Sequence, residues 1–134
     1  MRRTYGIILV LALALGVSKG VAIYQGSTSS GGFTELHRAQ LAEAGSVEIV
    51  MGLIERDGES RSGKHYHPRG EFGYVLKGTV VVTTEDKLAE TLKAGDSFYQ
   101  PPGEWHVVST GTAGTRTVVF RVVETGEPMV VPVE

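Results

Sequence analysis

The chain of 134 residues contains no cysteine. Disulfides, thiolate metal sites, a cysteine nucleophile and a lipidated cysteine anchor are all excluded. It also lacks an excess of basic charge: 13 Lys and Arg stand against 15 Asp and Glu, for a formal net charge of −2. With no basic patch visible, nucleic acid is not an expected partner. No Gly-rich phosphate loop and no nucleophile elbow occur, so nucleotide chemistry and acyl transfer have no support. Charged residues make up 21% and hydrophobic residues 41%. That balance can fill one core, and the length suits one domain.

The longest apolar run lies at the N-terminus. Arg2-Arg3 precede Tyr5 to Val17, with Ile7 to Leu15 at its heart. Small residues follow, as in Ser18-Lys19-Gly20 and Gly20-Val21-Ala22. A basic start, a short apolar stretch and small-residue cleavage positions make residues 1–22 a signal peptide, cut near 16–22. The run falls short of the ~20 residues that span a bilayer. An uncleaved anchor is the competing reading, since extending the run to Ile23 buries Lys19. The expectation is export to the periplasm or the extracellular space, with no stable membrane association after cleavage. Loss of Arg2 and Arg3 takes the formal charge from −2 to −4, and loss of Lys19 to −5. Residues 23–33, rich in Gly and Ser, read as a flexible linker, and residues 34–134 as the folded domain.

Beyond the linker the signal is for strands. Thr34 to Ala44 admits an edge strand or a short helix. Val47 to Ile54 is β-rich and stops at Asp57-Gly58. Phe72 to Leu76 and Thr79 to Thr84 flank Lys77-Gly78 and predict a hairpin. Further short strands flank Ala94-Gly95-Asp96 and Gly111 to Gly114, with a last edge strand at Val130-Val131. The class is all-β, a sandwich or barrel. Several strands are apolar on both alternations, as in Val80-Val81-Val82 and Val118-Val119-Phe120. A second dry face predicts sheet-on-sheet contact with another copy, a homodimer.

The chemistry concentrates in His65-Tyr66-His67-Pro68-Arg69-Gly70-Glu71 and in His106. Residues i and i+2 of an extended chain share a face, so His65 and His67 point one way. Pro68 and Gly70 bend the chain before Glu71. Imidazoles and a carboxylate aimed at one point suit a divalent transition metal such as Fe, Mn, Ni, Cu or Zn. Of the other residues nearby, Tyr66 and Trp105 alternate away from the ligands, and Arg69 and Glu104 read as solvated charges. Phe98 and Gln100 share an alternation that lines an interior. Gly73, Gly78, Gly95 and Gly103 read as backbone-geometry positions. His37 lies outside the cluster and reads as solvated.

These spacings resemble the two motifs of the cupin superfamily. His65-x-His67-x3-Glu71-x6-Gly78 follows the first, with Gly58 one position too early. Gly95-x5-Pro101-x-Gly103-x2-His106 follows the second, with Thr110 where the family carries Asn. The resemblance implies a single cupin jelly-roll β-barrel. It implies that His65, His67, Glu71 and His106 bind one metal ion, and that small members dimerise. Four ligands of six leave positions open for water, dioxygen or a chelating substrate. In cupin dioxygenases similar to this chain the matching Glu binds metal and takes a substrate proton, so Glu71 is the catalytic candidate. The expected function is a secreted, quercetinase-like dioxygenase acting on a small metal-chelating enol or aromatic substrate. A Lewis-acid isomerase or lyase stands beside it, and so does a non-catalytic module that binds a small molecule or metal.

Overall fold

Alternation of buried and more exposed positions marks the strands at the centre of the fold. In β10 (Thr115–Glu124) the buried set is Thr115, Thr117, Val119, Arg121 and Val123. In β6 (Thr79–Thr84) it is Val80, Val82 and Thr84. A period of two with one dry face produces sheets that close face to face over a shared core. The computed structural model describes residues 28–29, 32–41, 43–85 and 87–134, and among these the fold is all-β with no helix. Residues 1–22, read above as a signal peptide, and most of the stretch read as a linker lie outside the described residues.

Two antiparallel sheets form the domain. The first contains, in spatial order, β1 (Thr28–Ser29), β2 (Phe33–Gln40), β3 (Val47–Arg56), β10, β5 (Glu71–Lys77) and β8 (Ser97–Gln100). The second contains β11 (Val131–Pro132), β4 (His65–Tyr66), β9 (His106–Thr110), β6 and β7 (Glu90–Lys93). Thr34 to Gln40 is therefore strand, not helix. The C-terminal edge strand is present and pairs with β4. Phe33, at the end of the stretch read as linker, opens β2 and is a core residue.

The hairpin expected from β5 and β6 does not form. These strands belong to different sheets, and β6 pairs with β7 and β9 instead. Gly78, at φ +83°, carries the chain from one sheet to the other. Its missing Cβ lets the Gly114 carbonyl oxygen approach, since a Cβ there would stand 2.0 Å from it. The two strands then face each other across the core, where Val75 of β5 packs with Val80 and Val82 of β6. Burial of both dry faces against one another outweighs the local turn signal.

The core has two parts. Phe33, Val50, Val119 and Val123 form one, and Val75, Val80, Val82 and Leu92 the other. Phe98 packs against both. Each buried Val or Phe contributes about 1.5–3 kcal/mol relative to exposure. Glycines shape this wall. Register aligns Gly52 with Val119, Val119 with Gly73, and Gly73 with Phe98 across three strand pairs. The Phe33 ring lies over Gly52 and the Phe98 ring over Gly73, where added Cβ atoms would fall 2.1 Å and 2.0 Å from ring carbons. Gly73 thus serves as a seat for an aromatic ring rather than as a special backbone position.

Candidate metal centre

Three histidines meet at one end of the barrel because of strand pairing and one turn. His65 on β4 sits opposite His106 on β9 in the antiparallel register. His67 follows β4 directly, in a turn whose carbonyl accepts from the Gly103 N–H at 3.0 Å. Gly103 has φ +74°, a conformation glycine adopts at no steric cost. The Pro-x-Gly turn of the second motif is in this way tied to the His-x-His segment of the first. Thr110, in the place of the family Asn, accepts from the Ser60 N–H at 3.0 Å and donates to the Asp57 carbonyl at 2.8 Å. It anchors the far end of β9.

The imidazoles of His65, His67 and His106 each offer a nitrogen within 4.8 Å of the others. His67 is 2% exposed and His106 1%. His65 Nδ1 lies 2.8 Å from the Gly63 carbonyl and His67 Nδ1 2.8 Å from the Met129 carbonyl. Carbonyls only accept, so both Nδ1 atoms carry a proton, and Nε2 is the nitrogen whose lone pair the neutral ring offers a metal. Burial, then the neighbouring His65 and His67, push the His106 pKa down to about 4. Burial likewise lowers that of His67, against the pull of Glu71. His67 and His106 are therefore neutral at pH 7, as metal ligation requires. Among the described residues the buried atoms His67 Nε2 and His106 Nδ1 have no hydrogen-bond partner. Buried polar atoms rarely go unpaired without a functional reason. The donor set fits a divalent transition ion.

Glu71 opens β5 and is 3% exposed. Its Oε2 lies 3.5 Å from His67 Nε2 and accepts from Arg121 Nε at 2.5 Å. The carboxylate is close to the histidines but engaged by a guanidinium. Arg121 is 6% exposed on β10, with its Cζ 4.7 Å from the Phe33 ring centroid. Sequence reading missed it. The signal was the alternation Val119-x-Arg121-x-Val123, which places a cation on a dry face where it needs a partner. Arg56 closes the alternation Ile54-x-Arg56 of β3 and was missed in the same way.

His65 and His106 open on an interior cavity of ≈ 40 Å³, also walled by Glu71, Arg121, Phe98 and Gln100 among others. Phe98 and Gln100 thus line the interior as their alternation predicts. Arg69 and Glu104 are paired outside it. Arg69 binds Glu124 and Glu127, Glu104 takes Lys87, and Trp105 lies under Lys64 Nζ at 4.3 Å. His37 is exposed on β2, away from the site.

Comparison with known proteins agrees with this architecture. No curated protein matches. Among solved structures, the polyketide cyclase RemF from Streptomyces resistomycificus superposes with a TM-score of 0.57 at 22% identity, covering 76% of this chain and 70% of its own. A cupin-like protein from Thermotoga maritima gives 0.54 at 20%, covering 84% and 87%. The DMSP lyase DddQ from Ruegeria pomeroyi gives 0.54 at 21%, covering 65% and 43%, so this chain spans less than half its length. At these identities the likeness is one of fold. The cupin-domain family matches residues 54–124, a stretch containing all three clustered histidines and both motifs. By that match and by the two-sheet fold around it, the chain belongs to the cupin superfamily.

Proposed function

We propose that this protein is an exported metalloenzyme of dioxygenase type, holding one divalent transition ion and acting on a small substrate that chelates it. The observation that supports the reading is the convergence of His65, His67 and His106, with a buried Nε2 on His67 that finds no hydrogen bond among the described residues. These three would hold the ion, and Glu71 is the fourth ligand in the proposal. When bound, the ion supplies Lewis-acid or redox chemistry. The chain supplies the rest. The Gly63 and Met129 carbonyls fix the tautomers and tilts of two imidazoles. Arg121 holds Glu71 Oε2, the oxygen that also lies 3.5 Å from His67 Nε2, and so fixes the carboxylate beside the cluster. Val80, Val82 and Phe98 supply the apolar part of the cavity wall. Lewis-acid isomerase or lyase chemistry uses the same groups, and a binding module uses them without turnover.

Elemental analysis of tag-free mature protein tests this. About one Fe, Mn, Ni or Cu per chain is expected, and oxygen uptake with enol or aromatic chelators then separates the dioxygenase from its alternatives. His65→Ala, His67→Ala and His106→Ala should each lose the metal and keep the strand signature in circular dichroism. Full occupancy in any of them would remove that residue from the site.

A further inference from the structure

The cavity beside the histidines carries two guanidiniums, Arg56 and Arg121, and one carboxylate, Glu71. Arg121 is matched by Glu71. Arg56 has no ion pair and no side-chain hydrogen bond among the described residues. It is half-buried, and burial is the largest influence on it. Desolvating a charge without a partner is costly, and chains avoid it unless the charge has a use. Arg56 also lines the wider groove, ≈ 600 Å³, that runs past His65 to the surface. Arg61, Lys64 and Arg121 line that groove too, and among the described residues no carboxylate does. The groove beside His65 is therefore lined by positive side chains, which draw in anions.

We propose that the ligand of this site is a small carboxylate, with Arg56 as the residue that receives its charge while its other end faces the histidine cluster. A guanidinium presents a planar fork matched to a carboxylate, and a buried one forms the stronger, charge-assisted contact. The anion would neutralise the one positive charge that the cavity wall leaves over. This inference rests on the metal-centre reading for where the other end of the ligand points, but the unpaired charge of Arg56 stands without it.

The test is calorimetric titration of the full chain with malonate, and with the neutral malonamide as control, metal content being measured in parallel. Malonate should bind the wild-type protein and raise its melting temperature, with malonamide at least tenfold weaker. Arg56→Met should weaken malonate at least tenfold at unchanged metal content. In anion-free buffer Arg56→Met should melt no lower than wild type, because it removes an unpaired charge, whereas a merely structural arginine would cost stability. Should Arg56→Met misfold, the acid-against-amide comparison on wild type and the titration of Arg56→Lys still decide. Equal binding of malonate and malonamide, no malonate binding, or undiminished binding by Arg56→Met would overturn the assignment. Metal-stripped protein that still prefers malonate, in a preparation that takes up no metal, would sink the metal reading alone.

Discussion

His106 illustrates how burial prepares a ligand and costs stability at low pH. Its imidazole is 1% exposed and its pKa falls from 6.5 to about 4. A depressed pKa means that the unfolded chain binds the proton more tightly. The stability contributed is complete above pH 6.5 and is lost as pH falls toward 4. A shift of this size is worth about 3 kcal/mol, and His67, also lowered, adds in the same direction. Metal-stripped protein should therefore lose at least about 3 kcal/mol of unfolding free energy between pH 7 and pH 4. Urea denaturation across that range measures it. His106→Gln removes one titrating group and should flatten the slope, whatever it does to stability at pH 7. An unchanged slope would mean that the ring is solvated in the native state. At this scale the motif spacing made His65, His67 and His106 legible, because ligand positions repeat as a fixed pattern in one chain. Arg56 and Arg121 were not legible from the motifs, since their roles depend on which strands face each other.

At the scale of the element, register matters more than propensity. Strand positions followed from β-branched runs and turn residues, but pairing did not, as the β5–Gly78–β6 corner shows. A one-residue glycine connection reads locally as a hairpin. Only the burial of Val75 against Val80 and Val82 sends the two strands into separate sheets. The row Gly52–Val119–Gly73–Phe98 sets the width of the barrel at this level. A Cβ at Gly73 would meet the Phe98 ring at 2.0 Å, so the ring has to move or the sheets part. Gly73→Ala should destabilise the protein by about 1–3 kcal/mol, the usual range for overpacking. Because Phe98 also walls the cavity, the displaced ring should weaken ligand binding there. Adding Phe98→Leu should recover part of the loss, a coupling that a double-mutant cycle in urea reads directly. Strictly additive losses would show that Phe98 is not what excludes the side chain.

At the scale of the whole molecule, one sheet has a second apolar face. On the outside of the six-stranded sheet Phe72 is 53% exposed, Tyr74 47%, Tyr99 49% and Phe120 40%. Register places Met51 beside Phe120, Phe120 beside Phe72 and Phe72 beside Tyr99, so one row crosses four strands without a charge. The Phe72 and Tyr99 rings stack at 4.5 Å. Leu53, Val118 and Tyr74 form a parallel row. Rows of this kind on an outer face mark an interaction surface rather than scattered exposure. Their flatness and continuity suit a second sheet of the same kind, packed about 10 Å away across a two-fold axis. The expected oligomer is a dimer. Phe120 sits near the centre of that face, where desolvation is most complete and a substitution costs most. Sedimentation equilibrium of the mature protein at tens of micromolar should give twice the chain mass, and Phe120→Glu should give the chain mass with metal content unchanged. A wild-type protein that sediments as a monomer would leave this face for some other partner. A Phe120→Glu variant that stays dimeric would move the interface to a different surface.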